Sequence, residues 1–96
     1  MSPLNRKKLY KIRSELDKVD NTLLKIIKKR TNLVKKVLAL KEKKYQIVDQ
    51  KRIKMILKNI KNKSLKQKID PKITNRIWKN MIWSYIDFEK RNFKKK

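Results

Sequence analysis

Apolar residues recur at Leu9, Ile12, Leu16, Val19, Leu23 and Ile26, and again at Leu33, Val37 and Leu40. The steps alternate three and four without a slip if position 30 is counted as a member, and position 30 is Arg30. That period is the mark of a helix with one apolar seam, and it predicts a single helix from about Leu4 to about Lys41. Pro3 suits its first position, with Ser2 behind it as cap. At 1.5 Å per residue the helix would be roughly 57 Å long. A compact domain of 96 residues has a radius of gyration of only about 12 Å. One chain cannot bury such a seam alone, so the expected partner is a second copy.

The remaining chain divides at local signals. "EKKYQIV", residues 42–48, breaks the rhythm and reads as a connection with a short extended piece. Asp49 reads as the N-cap of a second helix reaching about residue 67, with Ile53, Ile56, Leu57 and Ile60 on its apolar side. In "IDPK", Asp70 caps a third helix and Pro71 takes its first position. That helix is expected over about 71–93, with Ile73, Ile77, Trp78, Met81, Ile82, Tyr85 and Ile86 inward, followed by a frayed lysine tail. The expectation is one all-α domain over residues 1–96, three helices per chain with the first the longest.

Composition narrows the chemistry. There is no Cys, which removes disulfides and thiol chemistry, and no His, which removes the usual general base near neutral pH. The eight acidic residues are scattered, so no metal site and no cofactor is expected. No apolar run approaches the roughly 20 residues of a membrane span. The opening "MSPLNRKKLY" lacks the apolar core of a signal peptide. No membrane association and a cytoplasmic location are therefore expected.

Lysine and arginine total 31, for a formal net charge of +23. A basic nucleic-acid-binding helical protein is one reading of that charge. The other is a solvated lysine face, favoured because the lysines fall mostly on the outward faces of the expected helices. Only six of the cations are arginines: Arg6, Arg13, Arg30, Arg52, Arg76 and Arg91. Where lysine is the default, an arginine marks a place that uses its planar fork, which grips a carboxylate with two hydrogen bonds.

Several charges sit on apolar stripes. Arg30 is on the main seam. Lys41 follows eleven residues later, about three turns on, so both side chains leave one face about 16 Å apart. Arg52 stands in the first turn of the second helix beside Ile53 and Ile56. Glu89 lies on a stripe with Ile82, Tyr85, Ile86 and Phe93. Taken singly each has a plainer reading. Arg30 could pin helix register against an acid, Lys41 and Arg52 could be surface cations, and Glu89 could pair with a lysine. Taken together, Arg30, Lys41 and Arg52 form an inward surplus of positive charge that calls for a small anionic ligand. Arg13 is about 25 Å from Arg30 along one helix and cannot join them in its own chain. It can join the cluster of a second chain if the first helices run antiparallel, which predicts composite sites across a two-fold axis.

These residues carry a resemblance. "LYKIRSELDKVDNTLLKIIKKRTNLVKKVLALK" resembles the first helix of the all-helical class of chorismate mutases. In that pattern an arginine precedes "xxxDxxD", then "LLxLLxxR", then a valine-rich stretch ending in lysine. "IVDQKR" is similar to the family's start of helix two, and "IDPK" to the beginning of its third helix. The resemblance implies an intertwined homodimer with two shared active sites and chorismate, a dianion, as substrate. It implies that Arg30 and Arg52 bind substrate carboxylates, that Lys41 holds a carboxylate and the ether oxygen, and that Arg13 is contributed in trans. Asp49 would hold the substrate hydroxyl or order the start of helix two, Tyr85 would line the site, and Glu89 would meet the ether oxygen.

The implied reaction is the pericyclic rearrangement of chorismate to prephenate, a step toward phenylalanine and tyrosine, which needs no nucleophile and no metal. A carboxylate donates to an ether oxygen only when protonated. Turnover is thus expected to fall as pH rises, with Glu89→Gln flattening the profile and raising neutral-pH activity. Ile53 stands where the family pattern has glutamate, and Tyr85 where it has a small residue. Both are similar to isochorismate-pyruvate lyase, a close relative, and keep salicylate formation open as the alternative.

Overall fold

The computed structural model describes residues 1–94. Three α-helices follow one another: α1 over Pro3–Leu40, α2 over Gln50–Lys66 and α3 over Pro71–Asn92, with a 3-10 turn at Lys44–Gln46 between the first two. Among the described residues there is no strand, so the protein is all-α. None of these helices is long and apolar enough to cross a membrane.

Each helix begins where a side chain satisfies an orphan backbone N–H. Ser2 Oγ accepts from Asn5 N at 3.2 Å. Asp49 Oδ1 accepts from Arg52 N at 3.0 Å, and Asp70 Oδ1 from Lys72 N at 2.9 Å. Pro71 supplies a first residue that has no N–H to satisfy. The connection departs from the extended piece expected there. Gln46 Oε1 accepts from Glu42 N at 2.8 Å and Lys43 N at 2.9 Å, which coils the segment into the 3-10 turn.

The chain forms two compact units, Met1–Leu33 and a second that begins at Val34. The first is helical and has no buried side chain. Its seam residues Ile12, Leu16, Val19, Leu23 and Ile26 are all exposed. The second holds the core: Ile47, Ile82 and Ile86 are buried, with Leu38, Val48, Ile53, Ile56, Leu57 and Phe93 packed against them. Within this unit the last turns of α1 present Val34 and Leu38 to partial cover, while Val37 and Leu40 stay exposed. The stripe used inside the unit thus lies beside the three-four seam, and the seam stays open. On α3, Ile73 and Ile77 were expected inward and are exposed. The buried positions are Thr74, Ile82, Ile86 and Glu89, a stripe rotated away from them. Lys94 is non-helical and exposed; the rest of the expected frayed tail, residues 95 and 96, lies outside the described residues.

A buried hydroxyl pair, Ser64 Oγ and Thr74 Oγ1 at 2.8 Å, ties α2 to α3. The turn between them closes with Lys68 N donating to Leu65 O and Ile69 N to Ser64 O. This Schellman closure requires a left-handed residue, and with no glycine in the chain Lys68 takes φ 57°. A left-handed non-glycine costs about 1–2 kcal/mol, against roughly 0.4–1 kcal/mol of extra unfolded-state entropy for glycine. Lys68→Gly is therefore expected to stabilise the protein by about 0.5–1 kcal/mol, read as a higher urea midpoint at fixed protein concentration. An unchanged or lower midpoint would show that the turn carries no such strain.

Candidate active site

The α3 stripe Ile82, Ile86, Glu89 and Phe93 advances in steps of four, three and four, which directs Glu89 into the apolar interior of its unit. Glu89 is 6% exposed. A carboxylate in such a place needs a cation and hydrogen bonds. Lys41, immediately after α1, provides both: its Nζ lies 3.0 Å from Glu89 Oε1. The same Nζ donates to the Ile47 carbonyl at 3.5 Å. Ile47 is the most buried residue of the core, at 3%, so that carbonyl is well fixed. The inward surplus of positive charge expected from the sequence is therefore reduced by the Lys41 charge.

Lys41 also faces a groove that it shares with Tyr45, Gln46, Val48 and Asp49. Asp49 thus stands at the same groove while its carboxylate caps α2. Tyr85 is half-buried one turn before Glu89. Arg52 is exposed, its guanidinium Nη1 3.9 Å from Met55 Sδ, a weak contact that leaves it at the surface. Arg13 and Arg30 belong to the other unit. Arg30 is half-buried. Arg13 is exposed on a shallow groove with Tyr10, Ser14, Asp17 and Asp20. Of the residues singled out from the sequence, the structure brings Lys41 and Glu89 into direct contact and sets Asp49 on the groove that Lys41 lines.

Two contributors were missed by sequence reasoning, the Ile47 carbonyl and the Gln46 side chain. A backbone carbonyl leaves no trace in side-chain pattern. Gln46 could have been found by asking which acceptor serves the N–H groups of a connection that lacks Gly and Pro.

What this arrangement can do is electrostatic: a half-buried ammonium, fixed at the mouth of a groove, can meet negative charge on a small ligand. A search of curated proteins and a search of solved structures each returned no match. The family model described as Chorismate mutase type II matches residues 12–90. That match runs from the first turns of α1, through α2 and the Lys41–Glu89 pair, to the last turn of α3, so the chain belongs to the chorismate mutase type II family, whose members are isomerases.

Proposed function

We propose that this protein rearranges chorismate to prephenate, in the route to phenylalanine and tyrosine, and that it does so as an intertwined homodimer with two shared sites. Within the chain's family membership, the observation that carries the reading is the Lys41 ammonium held at 3.0 Å from buried Glu89, at the edge of a groove. The reaction makes and breaks bonds within one molecule, so the enzyme contributes conformation and charge. Arg30 and Arg52, with Arg13 of the partner subunit, grip the two substrate carboxylates and hold the reacting carbons close. As the C–O bond breaks, negative charge grows on the ether oxygen, and Lys41 meets it there. Asp49 orders the start of α2 and faces the substrate hydroxyl, and Tyr85 lines the site.

The dimer has independent support. Eight apolar seam positions of α1, from Ile12 to Leu40, are exposed in the single chain, and so are Ile73 and Ile77 of α3. A second copy is the partner that covers such a seam with its own.

Ile53 favours a second reading. It packs against the core where the family pattern has glutamate, which suits an isochorismate-pyruvate lyase. The test supplies both substrates: prephenate from chorismate supports the mutase, and salicylate with pyruvate from isochorismate supports the lyase. Formation of neither sinks both. Mixing Arg13→Ala chains with Arg30→Ala chains tests the shared sites. Heterodimers carry one site with both arginines, so activity is expected to return after re-annealing; no recovery would mean that Arg13 acts in cis or has no part.

A further inference from the structure

We propose that the groove between the second half of α2 and the first turns of α3 binds a linear oligophosphate anion, free or carried on a nucleoside. The groove has a volume of about 480 Å³, within the roughly 300–1,000 Å³ of small-ligand sites. Half-buried Leu57 and Pro71 give it an apolar surface. Lys58 and Lys61 of α2 and Lys72 of α3 stand around it, and Asn75 adds an amide that both donates and accepts. Among the described residues no carboxylate lines it. It is separate from the groove at Lys41, since Asn75 and Glu89 are about 21 Å apart along α3.

The fold brings these three ammoniums together against their repulsion. Lys58 and Lys61 are neighbours on one helix face, where like charges repel. No acid offsets them within α2, and the first acid of α3 is Asp87. Lys72 is held beside them by the packing of α2 on α3, in which Ser64 Oγ and Thr74 Oγ1 lie 2.8 Å apart and Pro71 fixes the start of α3. Among the described residues, none of the three ammoniums is in an ion pair. The acid nearest in sequence is Asp70, whose Oδ1 accepts from Lys72 N at 2.9 Å. Ile73 N in turn donates to Asp70 O. The start of α3 is thus already satisfied, and the attraction for an anion comes from the three side chains.

The residue types select the ligand. Carboxylates are gripped best by the arginine fork, and no arginine lines this groove. Lysine is a point charge that meets phosphoryl oxygens from any direction. Three ammoniums converging from two helices match several linked phosphoryl groups better than a single one. The Leu57–Pro71 surface suits the flat face of a ring where the phosphates carry one. The groove also stays open in the proposed dimer. Pro71 and Asn75 lie about 160° around α3 from Ile73, on the side opposite the exposed apolar surface that a second copy would cover.

Calorimetric titration of the full-length protein with tripolyphosphate, ATP and inorganic phosphate tests the site. At about 0.15 M salt, tripolyphosphate is expected to bind once per chain, and inorganic phosphate at least about tenfold more weakly. Tighter binding of ATP than of tripolyphosphate assigns the nucleoside-borne form; equal or weaker binding assigns the free phosphate chain. Lys58→Gln, Lys61→Gln and Lys72→Gln together should weaken binding about 10- to 100-fold. Glutamine is close to lysine in helix propensity and the change relieves repulsion, so this variant should fold, with an equal or higher urea midpoint in the absence of ligand. Lys11→Gln, Lys18→Gln and Lys25→Gln together remove the same charge from exposed positions of α1. They should change the affinity by less than about threefold.

Amide spectra recorded during the same titration locate the ligand. The Asn75 backbone and side-chain signals should shift as tripolyphosphate is added, and the triple groove variant should lose the shift. Absence of saturable binding, an equal loss of affinity in the α1 variant, or shifts that leave Asn75 untouched would each overturn the site. A short single-stranded RNA that displaces tripolyphosphate and binds at least about tenfold more tightly would overturn the small-ligand assignment, because the groove would then be one part of a longer nucleic-acid track. None of these readouts depends on prephenate formation, so the proposal stands or falls apart from the mutase reading.

Discussion

Arg30→Lys is expected to lower kcat/KM by roughly 30- to 800-fold, the equivalent of about 2–4 kcal/mol of transition-state stabilisation, while the protein stays folded. The substitution keeps the positive charge and shortens nothing essential to helix formation, since lysine and arginine have similar helix propensity. What it removes is the planar fork that binds a carboxylate with two parallel hydrogen bonds. Arg30 is the half-buried arginine at the end of the first unit, on the seam that otherwise carries Ile26 and Leu33. A side chain kept there to fix helix register would fail differently. The variant would then lose stability or change its association state, and its folded fraction would work at the wild-type rate. Kinetics and a urea titration on one preparation distinguish the two outcomes.

Leu23→Asp is expected to abolish the proposed dimer. In the single chain Leu23 is 48% exposed, and on a free surface such a change would shift stability by no more than about 0.5 kcal/mol. On a seam packed against its own copy the change acts twice, once for each chain of the two-fold. Losing the burial of a leucine costs about 1.5–3 kcal/mol per chain before the carboxylate's own desolvation is counted. Roughly 3–6 kcal/mol per dimer raises the dissociation constant by about 10²- to 10⁴-fold. The chain has little to fall back on, because among the described residues the buried apolar core is Ile47, Ile82 and Ile86. The variant is therefore expected to sediment as a monomer and to lose much of its helical circular dichroism at micromolar concentration. Wild-type protein that sediments as a stable folded monomer under the same conditions would rule out the dimer, and the shared sites with it.

The legible part of this protein is the part governed by near neighbours in sequence. Ser2, Asp49 and Asp70 stand just before α1, α2 and α3, and each bonds a backbone N–H within three residues. The seam of α1 is a property of spacing alone, and it announces the length of the helix. Arg30 and Glu89 were conspicuous for the same reason, as charges set into apolar periods.

Tertiary structure decided what spacing leaves free. A helical stripe says which residues share a face and not which neighbour will cover it, so α3 buries Ile82, Ile86 and Glu89 while Ile73 and Ile77 remain open. Likewise α1 turns Val34 and Leu38 toward its unit's core in place of Val37 and Leu40. Glu89 finds Lys41 across 48 residues of chain; the resemblance set both at one ether oxygen, but their direct ion pair is a product of packing. The Ile47 carbonyl reaches the same ammonium because Gln46 coils the connection into a 3-10 turn. A buried carboxylate advertises that it needs a cation, but which cation answers is settled by distances, and distances exist only once the chain has folded.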